Sequence, residues 1–357
     1  MIIDCHTHFN DLRHYEHMLT DQKNQGAEQF VILVIEKLGG GRDSFKLPHA
    51  LWFKHRHPEK VYVFGSIDCH GMHTPGAKPE VSFVDQLKLQ MEAGCDGLKL
   101  LTGKPDRRKS LNQPLCSEVF EPMFDFLEKT QYPVLWHVGD PPEFWFPDRV
   151  PLWAKQNRWW YDETYPPKRV IDAEIREVFR KHPRLNLILP HIFFLSDDID
   201  EMRAFLEQYP NFYLDLAPGI EMLHNFTRQH TRSRELFINY AHRILFGTDI
   251  GIGAHETGPK RGWMIRNFLE TDESFPVPDD PFMTPDERPN LKGIKLPKEA
   301  LDKIYALNFQ KLIGGTNPKP LNYPAVRKLL LDVEERSLRR GEGTTTAARV
   351  LDQLHLR

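Results

Sequence analysis

The sequence predicts one (β/α)8 barrel, and two features of the chain support this fold class. Eight short apolar, β-branched segments recur along it, each four to eight residues long, which is typical of buried parallel strands. Segments with helical periodicity lie between them, as connections between parallel strands require. The predicted strands are 2–9, 29–35, 61–67, 96–101, 132–138, 185–192, 211–217 and 243–249.

Helices are predicted where apolar residues recur on one face. Segment 170–183 shows the pattern most clearly, with apolar side chains at Ile171, Ile175, Val178 and Phe179. Segments 200–210 and 296–315 show the same periodicity and end at a proline and at two glycines. An open doubly wound sheet would usually carry a glycine-rich turn after its first strand, and "HTHFNDLRHY" contains no glycine. The barrel is therefore preferred.

The barrel is predicted to occupy residues 1–315, and residues 316–357 to form a C-terminal helical extension that packs on it or on a second copy. Two long segments, 139–170 and 250–297, follow the fifth and eighth strands. Both leave the C-terminal ends of strands, the face on which barrel enzymes build their active sites. Long segments of this kind are usually functional, so we expect them to line a substrate pocket.

Composition narrows the class of partner. Of 357 residues, 40% are hydrophobic and 27% are charged, enough for a sizeable core. The formal net charge of -3 argues against nucleic acid or an anionic membrane surface as the main partner. No signal-peptide pattern or apolar stretch of membrane-spanning length is present, and the four cysteines show no CxxC spacing. We expect a cytoplasmic protein that binds a small molecule, and a homodimer is left open.

Two histidines stand one residue apart in the first predicted strand, "DCHTHF". Side chains alternate along a strand, so His6 and His8 project to one side, which in a barrel is the interior. Two buried imidazoles are costly unless they are satisfied, and a divalent metal satisfies them well. Taken alone, the pair is equally compatible with one buried structural histidine and one that faces solvent.

Four other strands end in residues that titrate or bind metals: Lys99, His137, His191 and Asp249, on the fourth, fifth, sixth and eighth strands. One such residue is expected by chance. Five strands that carry them together are hard to explain as core packing, because each buried polar group needs a hydrogen-bond partner. The pattern predicts one polar site at the C-terminal face of the barrel.

The motifs "DCHTHF", "VLWHVGD", "LILPHIFF", "ILFGTDIG" and "IYALNFQKLIG" resemble the amidohydrolase superfamily. Within it, the chain is similar to the amidohydrolase-related branch that includes aminocarboxymuconate-semialdehyde decarboxylase-like enzymes. The resemblance covers about residues 1–315. The H-x-H motif alone is weak, but with the two later histidines and "GTD" in this order it is specific for the superfamily. It does not specify a substrate.

The resemblance implies a set of site residues. His6, His8, His137 and Asp249 would ligate one divalent metal, most often zinc, with manganese as the alternative. His191 would lie beside the metal as a catalytic residue, because a histidine titrates near neutral pH. Asp249 would also be catalytic, by accepting the proton of a water molecule whose pKa the metal lowers.

Lys99 leaves a second arrangement open. In binuclear amidohydrolases, a lysine at the end of the fourth strand is carbamylated and bridges two metals, and the histidines of strands five and six hold the second one. This chain has Lys99, His137 and His191 at those strand ends. We favour the single-metal arrangement, in which Lys99 remains an ammonium group and pairs with a substrate carboxylate or with an acid of the barrel interior.

The segment after the fifth strand contributes further candidate substrate-binding residues, Trp145 and Arg158. Aromatic walls with a few cations suit a planar small molecule that carries a carboxylate. The alternative is that the tryptophans of this segment pack it onto the rim of the barrel.

Three functions are compatible with these residues. The preferred one is a metal-dependent hydrolase of a small amide, lactone or cyclic ester, in which activated water attacks a carbonyl. The second, suggested by the branch, is a metal-dependent non-oxidative decarboxylase of an aromatic or unsaturated carboxylic acid. The third is a barrel that binds a metal or ligand without catalysis. Hydrolysis is preferred because the residues that activate water are present in the chain, whereas analogy of fold is weak support for function.

Overall fold

The computed structural model describes residues 1–38, 45–218, 220–251, 258–278, 288–342 and 346–357. Eight parallel strands pair in chain order, so each strand lies beside its neighbour in the sequence. They are β1 Ile3–Thr7, β2 Gln29–Leu33, β3 Val61–Gly65, β4 Gly97–Gly103, β5 Val134–Val138, β6 Leu187–Leu189, β7 Phe212–Asp215 and β8 Ile244–Leu245.

Hydrogen bonds between β1 and the segment that continues β8 close the barrel. The N–H of Cys5 donates to the carbonyl of Phe246 at 2.9 Å, and the N–H of Asp249 donates to the carbonyl of His6 at 2.7 Å. The predicted (β/α)8 fold is therefore confirmed.

Helices connect the strands and extend the chain beyond the barrel. None of the helices within the described ranges is long and apolar enough to span a membrane. Their bounds are α1 Tyr15–Gln25, α2 Leu47–Arg56, α3 Phe83–Ala93, α4 Pro105–Leu111, α5 Glu121–Thr130, α6 Leu152–Gln156, α7 Lys168–Lys181, α8 Ile199–Gln208, α9 Ile220–Arg228, α10 His230–Asn239, α11 Gly258–Glu270, α12 Lys298–Asp302, α13 Asn308–Ile313, α14 Tyr323–Arg339 and α15 Thr346–Gln353.

The three helices predicted from apolar spacing are present. Helices α7 and α8 match the first two, and the third is divided into α12, a π-helical turn over Lys303–Leu307, and α13. The segment predicted as a long loop, 250–297, differs from expectation. It contains α11 and a two-stranded antiparallel sheet of β9 (Ser274–Pro276) and β10 (Asn290–Lys292). Residues 252–257 and 279–287 of this segment lie outside the described residues.

The interior of the barrel changes from apolar to polar toward the C-terminal ends of the strands. Polar residues follow the apolar layer at Lys99, His137 and Asp215, all of which are buried. These polar residues lie at the C-terminal ends of the strands, which we call the barrel mouth. The sequence predicts the site at this end of the barrel. The apolar layer below it consists of Ile3, Cys5, Val31, Leu33, Tyr62, Phe64, Leu135, Ile188, Tyr213 and Leu245, and α13 packs against it.

A β-bulge in β1 changes the direction in which the side chain of His6, the first histidine of the H-x-H motif, points. Between Asp4 and Thr7, β1 has one residue more than β2 has in the paired stretch. Strict alternation would place Cys5 and His6 on opposite faces. Both contribute to the interior, however, Cys5 in the apolar layer and His6 in the polar region above it. The bulge therefore aims His6, and two residues later His8, into the barrel mouth.

The C-terminal extension packs on the outer side of the barrel. Helices α14 and α15 contact each other, and they also contact α3 and α2, respectively. They share one hydrophobic cluster with β2 and β3, to which the extension contributes Val326, Leu330, Val350 and Leu351. The boundary at residue 315 stays a prediction.

Candidate metal centre

Three side chains converge where β1 meets the segment after β8. Nε2 of His6 lies 3.4 Å from Oδ1 of Asp249, and Nε2 of His8 lies 3.2 Å from the same oxygen. Their potential ligand atoms all lie within 4.8 Å of one another. Both histidines are buried, whereas 26% of the Asp249 side chain is exposed, so the group opens toward solvent on the Asp249 side.

Hydrogen bonds on the far side of each ring determine which nitrogen carries the proton. Nδ1 of His6 donates to Oδ2 of Asp215 at 2.8 Å, and Nδ1 of His8 donates to the carbonyl of Leu33 at 3.0 Å. A carbonyl or an ionised carboxylate only accepts, so the proton of each neutral ring lies on Nδ1. The Nε2 atoms that face Asp249 therefore present lone pairs.

The surroundings keep these groups in the protonation states that metals require. Burial lowers the pKa of His6 well below its ordinary value, and the ammonium of Lys99 lowers it further. Burial acts to raise the pKa of Asp249, but the rings of His6 and His8 outweigh it and hold the pKa well below the usual range. His6 is therefore a neutral imidazole and Asp249 an ionised carboxylate, the forms in which these groups bind metals.

This donor set fits a divalent cation. Two imidazole nitrogens and a carboxylate oxygen face one another at distances of 3.2 and 3.4 Å. Imidazole nitrogen and carboxylate oxygen are preferred zinc ligands, and manganese accepts both as well. Three protein ligands leave positions for water or substrate, as a catalytic site requires.

The backbone around Asp249 is built for close contact with β1. Asp249 has a φ of 52°, a left-handed conformation that aspartate tolerates better than most residues. A Cβ atom at Gly247 would lie 2.9 Å from Cβ of His6, and one at Gly251 would lie 1.7 Å from the carbonyl oxygen of His8. Side chains at these two glycines would push the carboxylate away from the histidines.

His191 and His137 form a second pair of rings beside this group. The His191 ring centre lies 4.9 Å from that of His137 and 5.5 Å from that of His6. Nδ1 of His191 donates to the carbonyl of Ala217 at 2.9 Å, and Nε2 of His137 donates to the carbonyl of Gly139 at 3.0 Å. Burial lowers the pKa of His137 to about 4 and that of His191 to about 3, so both rings are neutral.

The structure thus brings together three of the four predicted metal ligands. In the described part of the chain, the group within 4.8 Å contains His6, His8 and Asp249 and does not contain His137. His137 lies outside this group, and its ring contacts that of His191. Its role as fourth ligand stays a prediction. The catalytic roles of His191 and Asp249 stay predictions as well.

Two buried aspartates that the sequence analysis did not identify organise the site. Asp215, at the end of β7, accepts the Nδ1 proton of His6 and, at 3.0 Å, the N–H of His191. Asp4 accepts the N–H of His6 at 3.2 Å and the N–H of Thr248 at 3.0 Å. Both were visible in the sequence, Asp215 as an acid at the end of a predicted strand and Asp4 two residues before the H-x-H motif.

Lys99 lies in the barrel mouth among acids. Its side chain is 1% exposed, and no hydrogen bond joins its Nζ to another of the described residues. Burial lowers its pKa to about 8, against the attraction of Asp249, Asp215 and Glu36. The substrate-binding role of Lys99 stays a prediction.

The segment after β5 holds His137 through one buried acid. Asp140 accepts hydrogen bonds from Nζ of Lys104, at 2.6 and 2.9 Å, and from the hydroxyl of Tyr161. Its Oδ1 also lies 3.3 Å from Nε2 of His137. Burial acts to raise the pKa of Asp140, but the Lys104 ammonium outweighs it and holds the pKa below its usual range.

Trp145 and Arg158 lie in the same segment. Trp145 is partly buried, donates from Nε1 to the carbonyl of Pro166 at 3.1 Å, and packs against Tyr161 with a ring separation of 4.7 Å. These contacts stabilise the segment itself. The side chain of Arg158 is exposed. A substrate-binding role for these two residues therefore stays a prediction.

Glu221 is a further acid at the barrel mouth, in the first turn of α9. Burial raises its pKa to about 7, the carboxylates of Glu143 and Asp140 raise it further, and Arg261 opposes them. Its Oε2 is buried and has no hydrogen-bond partner within the described residues. Arg261 also donates to the carbonyl of Asp249 at 2.8 Å, which places these charges near the candidate metal ligands. The sequence analysis missed Glu221 because it lies in a helix, beyond the strand ends.

The family to which the chain belongs follows from a match over most of its length. Residues 3–314 match the family model described as Amidohydrolase. The chain is thus an enzyme of the metal-dependent amidohydrolase superfamily. It belongs to the amidohydrolase family, and the aminocarboxymuconate-semialdehyde decarboxylase-like branch fits this match. Among curated proteins, none matches this sequence.

Solved structures share the fold at low sequence identity. An uncharacterized TIM-barrel protein from Bordetella bronchiseptica is 15% identical, with a TM-score of 0.55 over 88% of this chain and 99% of the other. A 2,6-dihydroxybenzoate decarboxylase complexed with 2,6-dihydroxybenzoate is 14% identical, with a TM-score of 0.50 over 88% and 99%. A dihydroxybenzoic acid decarboxylase from Polaromonas with bound manganese and 2-nitroresorcinol is 13% identical, with a TM-score of 0.51 over 88% and 96%.

Proposed function

We propose that this enzyme is a hydrolase of a small amide, lactone or cyclic ester that carries a carboxylate, and that it uses one divalent metal held by His6, His8 and Asp249. The observation that carries the proposal is the convergence of two imidazole lone pairs and a carboxylate on one point at the barrel mouth. A bound zinc or manganese ion would polarise the scissile carbonyl and lower the pKa of water. His137 is the proposed fourth ligand.

Asp249 and His191 are suited to accept protons. The carboxyl of Asp249 is ionised at neutral pH, so it can take the proton of the attacking water. Nδ1 of His191 donates to Ala217, which leaves Nε2 as an acceptor that can hold the same water by a hydrogen bond. Both groups are unprotonated near neutral pH, which favours hydrolysis over a reaction that begins with proton donation.

Lys99 is the proposed anchor for the carboxylate of the substrate. Its ammonium group is buried in the barrel mouth, and its pKa of about 8 keeps it mostly charged at neutral pH. A charged hydrogen bond in such a buried place is stronger than one at the surface. Lys99 would thus fix the orientation of the substrate relative to Asp249.

Glu221 favours a second candidate function, non-oxidative decarboxylation of an aromatic or unsaturated acid. This reaction needs a group that delivers a proton to the carbon from which carbon dioxide leaves. A carboxyl with a pKa of about 7 is protonated in about half of the molecules at neutral pH. Two of the similar solved structures are dihydroxybenzoate decarboxylases, one of them with bound manganese, which supports this candidate.

Oxygen-18 labelling separates the two reactions. Metal-loaded enzyme is incubated in labelled water with a panel of amides, lactones, cyclic esters and aromatic acids. Hydrolysis places the label in a product carboxylate and releases no carbon dioxide. Carbon dioxide release without incorporation of label into the organic product would mean that the enzyme is a decarboxylase. The matched control is His8→Ala, which should abolish either reaction.

A further inference from the structure

Glu36 presents a carboxyl oxygen that the proposed mechanism leaves unused. It lies beyond the end of β2, three residues after Leu33, whose carbonyl holds His8. The residue is 2% exposed. Its Oε2 accepts the N–H of Leu101 at 2.8 Å, whereas Oε1 is buried and has no partner in the described parts of the chain. A buried acceptor without a donor is costly, so its retention calls for an explanation.

The position of Glu36 relates this oxygen to the substrate site. The carboxyl of Glu36 reaches from the segment after β2 to Leu101 of β4, two residues beyond Lys99 on the same strand. Burial raises the pKa of Glu36, and the cations of Arg107 and Lys99 oppose this by attracting its carboxylate. The carboxyl of Glu36 therefore contacts the strand that carries the proposed carboxylate anchor, two residues beyond Lys99.

The C-terminal extension holds the segment that carries Glu36. Lys37, the next residue, forms a buried ion pair with Glu342, which lies just after α14. Asp68, after β3, accepts hydrogen bonds from Nη1 of Arg336 at 2.9 Å and Nη1 of Arg340 at 2.7 Å. We call these contacts the clamp. Because they are buried and ionic, they restrict movement of the segments that follow β2 and β3.

The backbone of Lys37 also joins the segment after β2 to the segment after β3. Its N–H donates to the carbonyl of Ile67 at 3.1 Å, and its carbonyl accepts the N–H of Cys69 at 2.8 Å. The extension lies outside residues 3–314, the part that matches the family model. Glu342, Arg336 and Arg340 therefore lie beyond that match, whereas their partners Lys37 and Asp68 lie within it.

We propose that Glu36 is a substrate-recognition residue, which accepts a hydrogen bond from a hydroxyl or N–H group on a substrate whose carboxylate binds Lys99. The inference rests on the proposed site and specifies its substrate class, a carboxylic acid that also carries a hydrogen-bond donor. A substrate with that donor satisfies Oε1, whereas an analogue without it leaves the oxygen buried and unpaired. Sites of this kind discriminate strongly between such analogues.

Calorimetric titration of metal-loaded enzyme tests the recognition directly. The probes are the three positional isomers of hydroxybenzoate and the three matching methoxybenzoates, which lack the donor. We expect at least one hydroxybenzoate to bind about 10- to 100-fold more tightly than its methoxy counterpart. Equal affinities within all three pairs would overturn the proposal.

The variant Glu36→Gln tests whether Glu36 causes the preference for hydroxybenzoate over methoxybenzoate. The N–H of Leu101 would retain the amide oxygen, so the amide NH2 would face the substrate and turn an acceptor into a donor. We expect the preference for hydroxybenzoate to disappear while the metal content stays unchanged. The matched control is Glu59→Gln, at an exposed glutamate before β3. An unchanged preference in Glu36→Gln would overturn the proposal.

A second variant keeps the test decisive if Glu36→Gln does not fold. Glu342→Gln weakens the ion pair with Lys37, outside the barrel mouth, and should reduce the preference at least about threefold at unchanged metal content. An unchanged preference in this variant would overturn the proposal that Glu36, held in place by this ion pair, recognises the donor. If none of the probes binds to metal-loaded enzyme, the inference fails, whereas the proposed hydrolase is judged separately by metal-dependent incorporation of labelled oxygen.

Discussion

The imidazole of His6 donates from Nδ1 to Oδ2 of Asp215 across 2.8 Å, and both side chains are buried. The other oxygen of Asp215 accepts the N–H of His191. The carboxylate of Asp215 therefore fixes the tautomer of His6, a proposed metal ligand. It also holds the backbone of His191, a proposed catalytic residue. Carboxylate partners of this kind orient metal-binding histidines and raise their basicity.

Asp215→Asn should weaken metal binding by about 10- to 100-fold, because the amide holds Nδ1 of His6 less firmly than the carboxylate does. Titration of the metal-free protein with zinc, in competition with a chelator, measures the change. Asp148→Asn, at an exposed aspartate, is the control. Equal zinc affinity of Asp215→Asn and the unmodified protein would contradict this role.

His191→Asn should retain the metal and lower kcat by about 10²- to 10⁴-fold, the usual range for loss of an acid–base residue. The reason is that the ring of His191 lies beside the group of His6, His8 and Asp249, outside the set of close ligand atoms. Metal analysis and steady-state kinetics on one preparation test both parts. Loss of metal together with activity would instead favour the two-metal arrangement with carbamylated Lys99.

Asp140→Asn tests the role of His137. The substitution weakens the network of Asp140 with Lys104 and Tyr161 that lies against Nε2 of His137. If His137 is the fourth ligand, zinc affinity should fall about tenfold or more. Lys104→Met should cause a smaller loss, since Asp140 keeps its contact with Tyr161. Unchanged zinc affinity in both variants would remove His137 from the ligand set.

Protonation of His137 should make the metal-free protein less stable as the pH falls from about 6.5 toward 4. Burial lowers the pKa of His137 to about 4 from its ordinary value of 6.5. Between these values the unfolded chain binds more protons than the folded chain, so acid favours unfolding. The contribution of this group is about 3 kcal/mol, at 1.36 kcal/mol per pKa unit.

Urea unfolding of the metal-free protein at pH 7, 5.5 and 4.5 measures this effect. His137→Asn should show a weaker dependence on pH across that window, because asparagine does not titrate. The same slope in the variant and the unmodified protein would show that His137 is not held neutral by burial.

The fold and the central residues of the site were predictable because they depend on local patterns. Apolar segments at regular spacing predicted all eight strands, and polar residues at strand ends predicted that His6, His8 and Asp249 meet. The eighth strand is shorter than predicted, Ile244–Leu245 within 243–249. Its later residues instead contact β1 through irregular backbone, which includes the left-handed Asp249.

The remaining features depend on tertiary contacts that no local pattern records. The bulge in β1 arises from its pairing with β2, and strict alternation along one strand does not predict it. The pairing of Asp215 with His6 joins residues 209 positions apart. The clamp of Glu342 on Lys37 depends on where α14 docks on the barrel. Such contacts become visible only after the strands are placed in space.

The metal content per chain, measured by elemental analysis on protein purified without chelator, tests the central claim most directly. The claim is that His6, His8 and Asp249 hold one divalent metal ion. We expect one zinc or manganese per chain, lost in His6→Ala and His8→Ala while circular dichroism shows a folded barrel, and retained in Lys99→Met. Two metals per chain that fall on replacement of Lys99 would contradict the single-metal site, and no metal after reloading would contradict the proposed function altogether.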